Sequence, residues 1–343
     1  MIKPVTIIGG GLAGLTLGIG LRQQGAPVIL HEAGRYPRHR ACGEFISGRG
    51  QATLARLNLS ELMEQAGAVS ARTAAFFSAT QSTTPRSLPS GALCLSRFTL
   101  DAALVKRFRE LGGELCESSR REDFGEGVVR ATGRRPQTGE TRARWFGLKI
   151  HARNVTLAAD LEMHVSPRGY VGLCKINDGE VNVCGLFKKQ AIEGNESRNG
   201  RELLCGPPDS PLRERLMKAE FMENSFCAVA GLSLHPQQAA AHAEICIGDA
   251  VTMIPPITGN GMSMAFESAE LAIQPLAAWS RGEVCWRTAR QKIADKCDAV
   301  FARRLAWAKW LQRIILTPAL QNPVIALAAR SPWFWGMAFN NTR

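Results

Sequence analysis

Val5-Thr6-Ile7-Ile8-Gly9-Gly10-Gly11-Leu12-Ala13-Gly14 is the stretch that decides the fold. A short β-branched run enters three glycines and leaves them into the helical stretch Leu15 to Gln24, which Gly25 ends. Val28-Ile29-Leu30-His31 then reads as a second strand, closed by Glu32. A βαβ unit needs a crossover of a dozen or more residues, and this segment has that length. Gly9, Gly11 and Gly14 satisfy the G-x-G-x-x-G spacing. The first glycine permits the tight turn, the second lets backbone approach a pyrophosphate, and the third lets helix and strand pack closely. Leu12 and Ala13, at the helix start, offer free N–H groups and the positive end of the helix dipole to phosphate. Glu32, with Ala33 beside it, follows Gly14 by 18 residues. This is near the ~20 at which a carboxylate meets ribose hydroxyls and disfavours a 2′-phosphate. The residues alone therefore point to FAD or NAD, not NADP.

Working outward, Arg35 to Gly50 is a basic, glycine-containing loop and residues 51–66 read as a helix. Residues 70–95 read as weak strands. Leu100, Ala103, Leu104, Phe108 and Leu111 make one face of a helix from Thr99 to Leu111. Residues 145–187 alternate apolar and polar between turn signals, which predicts several antiparallel strands. Residues 194–224 read as polar, then largely helical. Glu244 to Ala250 reads as a buried strand closed by Gly248-Asp249, and a helix is expected from Met262 to about Arg281. The segment 285–343 is helical, basic and rich in tryptophan.

The second half of the site lies far along the chain. Cys246-Ile-Gly-Asp-Ala250 followed by Pro255-Pro-Ile-Thr-Gly-Asn-Gly-Met262 resembles the C-terminal fingerprint of the flavoprotein monooxygenase and geranylgeranyl reductase superfamily. The resemblance implies FAD, with Asp249 on the ribityl chain and Gly259, Gly261 and Met262 beside the flavin ring. Leu95-Ser-Arg-Phe-Thr-Leu-Asp101 is similar to the family's Arg-leading helix, which places Arg97 near the phosphates or ribityl chain. Arg38-His-Arg-Ala-Cys-Gly-Glu-Phe45 is similar to the loop after the ribose-binding glutamate, and implies a cofactor contact for Arg40. Its Cys-Gly pair is typical of the geranylgeranyl reductase-like branch. One departure stands out. The strand that ends in Ala-Asp-Gly in the hydroxylase branch reads Ala131-Thr132-Gly133-Arg134 here. It lacks the carboxylate that serves pyridine nucleotide, so the donor, NADH or NADPH, stays open. The two-Trp motif of the flavin halogenases is absent.

The implied architecture is α/β: a glutathione reductase-like FAD-binding Rossmann domain, an inserted antiparallel-sheet substrate domain and C-terminal helices. The expected boundaries are 1–70, 96–145 and 240–285 for the FAD-binding domain, 71–95 and 146–239 for the substrate domain, and 286–343 for the helices. At the reacting end, Cys42 and Glu44 are the candidate catalytic groups. A carboxyl buried beside a flavin has a raised pKa and can donate a proton, whereas pairing with Arg38 or Arg40 would leave Glu44 only shaping its loop. Among the histidines, His164, His235 and His242 are the interior candidates, and no metal spacing links them.

The chain has 343 residues, enough to bury a full core without staples. Its 45% hydrophobic and 21% charged content excludes a disordered or fibrous class. Forty-two basic against 30 acidic residues give +12. The charge is spread along the chain, so nucleic acid is not expected as a partner. Ten cysteines without a C-x-x-C pair argue against a zinc ribbon and fit a reducing, cytoplasmic compartment. Residues 5–21 are apolar, but their glycines and the lack of a cleavage pattern speak against a signal peptide or membrane span. Basic residues among tryptophans near the C-terminus allow peripheral contact with a membrane's inner face. The functional expectation is an FAD-dependent oxidoreductase, monooxygenase or reductase, on a small apolar substrate, by aromatic or polyketide-type hydroxylation or isoprenoid double-bond reduction. The other classes are an RNA-modifying flavoprotein and a non-catalytic dinucleotide-binding protein. The oligomeric state is left open.

Overall fold

The computed structural model describes residues 1–134, 145–188, 200–232 and 236–341. The apolar runs singled out above become a parallel sheet: β1 (Val5–Ile8), β2 (Val28–His31), β6 (Glu114–Cys116), β7 (Val128–Arg130) and β13 (Ile245–Cys246), in the order β13-β7-β1-β2-β6. β1 pairs in parallel register with β2 on one side and β7 on the other. A strand covered on both faces reads as a continuous apolar run, which is why β1 shows no alternation.

Three helices cover this sheet. Every residue from Leu12 to Leu21 of α1 (Leu12–Gln23) is buried, because α1 packs against both α4 (Arg97–Glu110) and α7 (Gly261–Ser280). The expected helix over 51–66 is two helices, α2 (Gly48–Arg56) and α3 (Ser60–Gln65). The break falls at Asn58, left-handed at φ 55°, which lets Leu59 turn into the core. Asparagine tolerates that conformation better than most residues.

A second sheet has eight strands, in the order β12-β8-β11-β10-β9-β4-β5-β3. They are β3 (Phe45–Ile46), β4 (Val69–Phe77), β5 (Arg86–Cys94), β8 (Trp145–Arg153), β9 (Leu161–Ser166), β10 (Gly169–Lys175), β11 (Val181–Lys188) and β12 (Glu220–Leu232). All neighbours are antiparallel except β4 and β9. The helical reading of 194–224 is corrected. Among the described residues only the short α5 (Gly200–Cys205) and α6 (Pro211–Leu216) are helical, and β12 begins at Glu220. Alternation assigns the sheet's two faces. Leu148, Ile150 and Ala152 pack with Val183 against Leu204, Leu212 and Leu216 of α5 and α6. Lys149 and His151 therefore project to the opposite face, beside Cys184 and Asn182 of β11.

α8 (Trp286–Ile315), α9 (Pro318–Arg330) and α10 (Pro332–Asn341) tie the two halves together. Arg304 fastens α8 to α7 through a bidentate pair with Glu267 (2.7 and 2.8 Å). Gln321 donates to the Ser166 carbonyl at 3.0 Å, and the Trp335 indole to that of Ser87 at 3.0 Å. Among the described residues, no helix is long and apolar enough to cross a membrane.

Candidate functional site

A cavity of about 1190 Å³ reaches from the β1–α1 turn to the free face of the eight-stranded sheet. One end is bounded by Gly9, Gly11, Leu12, Ala13, Glu32 and Ala33. Arg40, Cys42, Glu44, Arg97 and Asp249 line it too, as do Gly259, Gly261 and Met262. The other end is lined by Phe76, Met163, Tyr170, Cys184 and Val229. Ligand cavities are usually roughly 300–1,000 Å³, so this one has room for a long ligand and a second small one.

The three glycines differ in what holds them. Gly9 has φ 110°, and a Cβ there would lie 2.3 Å from the Ala131 carbonyl oxygen. At Gly14 it would lie 2.0 Å from the Gly9 carbonyl oxygen, and Gly14 does not line the cavity. Gly14 is thus a packing glycine. Gly11 is the reverse: a Cβ there meets nothing within 4 Å. It precedes α1, whose first turn has neither a capping side chain nor a carboxylate. α7 likewise starts without a side-chain cap, at Gly261, where a Cβ also meets nothing. Two helix N-termini thus present unsatisfied N–H groups at this cavity.

Glu32 is buried at the end of β2. It accepts from the Gly10 and Gly34 N–H groups (2.8 and 2.9 Å) and pairs with Arg38 at 2.5 Å. Burial raises its pKa, but the Gly34 N–H and the charges of Arg38 and Arg40 outweigh that, and the carboxyl lies below its ordinary value. Arg40 lies 3.5 Å from Glu32 and 3.4 Å from Asp101, yet its Nε and Nη2 are buried without a hydrogen bond. Buried guanidinium donors that face carboxylates without a hydrogen bond leave room for a further acceptor.

Arg97, expected near the phosphates or ribityl chain, lines the cavity. Its guanidinium is locked bidentately to Asp101 (2.8 and 2.9 Å), one helical turn on in α4. The R-x-x-x-D spacing in α4 was the available signal. Arg40 is the more open cation.

The strand expected over 244–250 pairs only at Ile245–Cys246, because Gly248 (φ 61°) turns the chain. Asp249 therefore sits in a 3-10 turn, exposed to the cavity but deep within the protein. Burial pushes its pKa up to about 6, against the pull of Arg97 and Arg134. A carboxyl with a folded pKa above its unfolded value loses stability as pH rises through that interval. Asp249→Asn should therefore raise the apoprotein's thermal midpoint, with an advantage that grows from pH ~4 to ~6 and then levels off. The same change should weaken FAD binding. Thermal melts with and without FAD test both arms, and equal midpoints at pH 7 would contradict the first.

Glu44 corrects two expectations. It does not pair with Arg38 or Arg40. Fully buried at φ 57°, it accepts from the Arg97 N–H (2.8 Å), faces His151 Nε2 (2.7 Å) and lies 3.4 Å from Lys149 Nζ. Nor is its pKa raised. Burial pushes it up, but His151, Lys149 and the Arg97 N–H hold it below the ordinary value. Glu44 is ionised at neutral pH and is no resting acid. Burial raises the Cys42 thiol, so it is no thiolate nucleophile.

Sequence reasoning missed Glu44's partners. Lys149 Nζ lies 3.3 Å from His39 Nδ1, and His151 Nδ1 lies 3.1 Å from Glu180. His39 lines the cavity, and its pKa falls to about 4 through burial and the neighbouring Lys149 and His151. It is neutral at pH 7, with Nδ1 accepting from Lys149 and Nε2–H left as a donor. Of the histidines singled out in sequence, His164 pairs with Glu162 (2.8 Å) and stacks on Phe77, and His242 faces the Val251 carbonyl (3.1 Å). His235 lies outside the described residues.

Strand order, glycine turn and acidic strand end together define a Rossmann-type α/β fold. No family model matches the sequence, and no curated protein matches it. Among solved structures, the chain resembles a triple mutant of the flavin-dependent brominase Bmp2 (TM-score 0.71, 19% identity, covering 98% of this chain and 97% of that one). It also resembles PqsL of Pseudomonas aeruginosa, described as a probable FAD-dependent monooxygenase (0.69, 16%, 93% and 98%). A third is the halogenase PltM (0.73, 14%, 98% and 85%). The chain has the fold of the flavin-dependent halogenases and FAD-dependent monooxygenases.

Proposed function

We propose that the protein is an FAD-dependent oxidoreductase that hydroxylates a small apolar organic molecule. The observation that carries this is a single cavity joining the glycine turn to an apolar sheet face. FAD fits the residues present. Gly11 leaves a cradle that a Cβ would fill, Arg40 holds buried donors without a hydrogen bond, and Asp249 offers its carboxylate to a polyhydroxyl chain. Glu32 would take the ribose, the α1 and Arg40 N–H groups the phosphates, and the α7 N-terminus the ring. Bound there, FAD would supply electron transfer between a nicotinamide donor, molecular oxygen and the substrate.

The chain's own groups do the rest. Phe76, Met163 and Val229 receive an apolar ring and exclude water. His39, whose Nδ1 faces Lys149, donates its Nε2–H to a substrate oxygen, and Lys149 and the Glu44–His151 pair hold its ring in place. Support for hydroxylation over double-bond reduction comes from PqsL, solved with the small aromatic 2-aminobenzoylacetate.

The first test is the visible spectrum of the purified protein after incubation with FAD, then oxygen uptake with NADH or NADPH over a panel of phenols, with and without bromide. A flavin spectrum and a hydroxylated product are expected. Failure to take up FAD would overturn the reading. Halogenated product, or oxidation of reduced protein only by an alkene, would overturn hydroxylation specifically.

A further inference from the structure

We propose that α8, α9 and α10 dock the protein on an anionic lipid surface. All 30 acidic residues of the sequence lie before residue 299, while Arg303, Arg304, Lys309, Arg313, Arg330 and Arg343 follow it. A helix facing only water mixes both signs, whereas a helix facing anionic headgroups keeps cations alone. Arg304 is spent on Glu267 within the core, while Arg303, Lys309, Arg313 and Arg330 are exposed.

Exposed apolar side chains gather in the same segment. Of the ten large ones among the described residues, Val300, Trp310, Leu320, Leu327 and Trp333 lie here, with Trp333 74% exposed. Leu320 and Leu327 fall two turns apart on one face of α9. Tryptophans beside arginines suit the headgroup level, where an amphipathic ring meets both apolar and polar surroundings. Single exposed apolar residues are ordinary; their gathering after residue 299, where no Asp or Glu follows in this sequence, is what selects a lipid partner.

The inner side of these helices gives the docking a use. Phe339 of α10 lines the cavity, and both it and Trp335 pack edge-on against Phe76. A surface that meets the bilayer outside therefore borders the apolar end of the cavity inside, and an apolar substrate can pass between them without crossing water. This last step rests on the proposed function; the docking does not.

The test is co-sedimentation of the full chain with vesicles of phosphatidylcholine alone, or of phosphatidylcholine and phosphatidylserine in equal parts. Binding to the anionic vesicles is expected to be at least about tenfold tighter and to weaken with added salt. Trp333→Ser and the pair Arg313→Glu/Arg330→Glu should each lower it about tenfold, with circular dichroism and FAD uptake unchanged. Equal binding to both vesicles, or unchanged binding by both variants, would overturn the proposal. So would a wild-type dimer in solution that Trp333→Ser converts to monomer, since a second copy would then cover this face. Loss of vesicle binding leaves the FAD reading standing, and loss of FAD uptake leaves the docking standing.

Discussion

Gly11→Val should give a folded protein that binds FAD at least about 100-fold more weakly, a loss of about 2.7 kcal/mol. Gly11 has φ −80° and ψ −174°, extended backbone open to any residue. Its missing side chain points into open cavity, so valine strains nothing in the apoprotein. It would, however, fill the space through which a pyrophosphate must reach the first N–H groups of α1. The control is Gly14→Val. There the new carbon lies 2.0 Å from a main-chain oxygen that has no rotamer to move, so that variant should lose its fold. Isothermal titration with FAD and a thermal melt separate the two. Wild-type affinity in Gly11→Val would mean that the glycine turn is only a turn.

The second large effect is on stability. Glu44→Gln should destabilise the protein by about 3–5 kcal/mol, the usual cost of stripping the partner from a buried charge. Lys149, wholly buried, would be left beside His39 with no carboxylate facing it. The double variant Glu44→Gln/Lys149→Met should recover a large part of the loss, since removing both charges also removes the desolvation penalty. The pH dependence has a definite sign. Glu44's carboxyl is depressed in the folded state, so its contribution is complete above the ordinary glutamate pKa and disappears as pH falls through the lower folded value. His39, with a pKa near 4 when folded, adds a further loss in acid, because the unfolded chain takes up its proton from about pH 6.5 downward. Wild type should therefore lose more stability than Glu44→Gln on acidification. Urea midpoints across pH decide it, and a deficit under ~1 kcal/mol at pH 7 would show that the pair is not a structural anchor.

Much of the dinucleotide half is legible in sequence because its signals are local. A glycine turn, a helix start and an acidic strand end lie within thirty-two residues, and each follows from backbone geometry. The opposite wall is not local. Whether Lys149 and His151 face α5 and α6 or the cavity depends on which face of β8 is covered, and a strand pattern leaves that choice open until the helices are placed. Glu44 shows the same limit. Among arginines in sequence it resembles a surface partner, yet its left-handed φ turns it inward, away from Arg38 and Arg40. The Arg97–Asp101 pair was within reach, since a four-residue spacing on a helix is readable before any coordinates.

The order β13-β7-β1-β2-β6 has a kinetic consequence. β1 is made well before β7 beside it, which lies more than a hundred residues further on, and β7's outer neighbour is the last of the described strands. Pairings of such sequence separation are slow to close. The β7-facing edge of Val5–Ile8 must therefore wait unpaired until residues 128–130 have emerged from the ribosome. Poor recovery of recombinant material would trace to that interval of exposure, and chaperone co-expression or slower synthesis at low temperature should relieve it without any change of sequence.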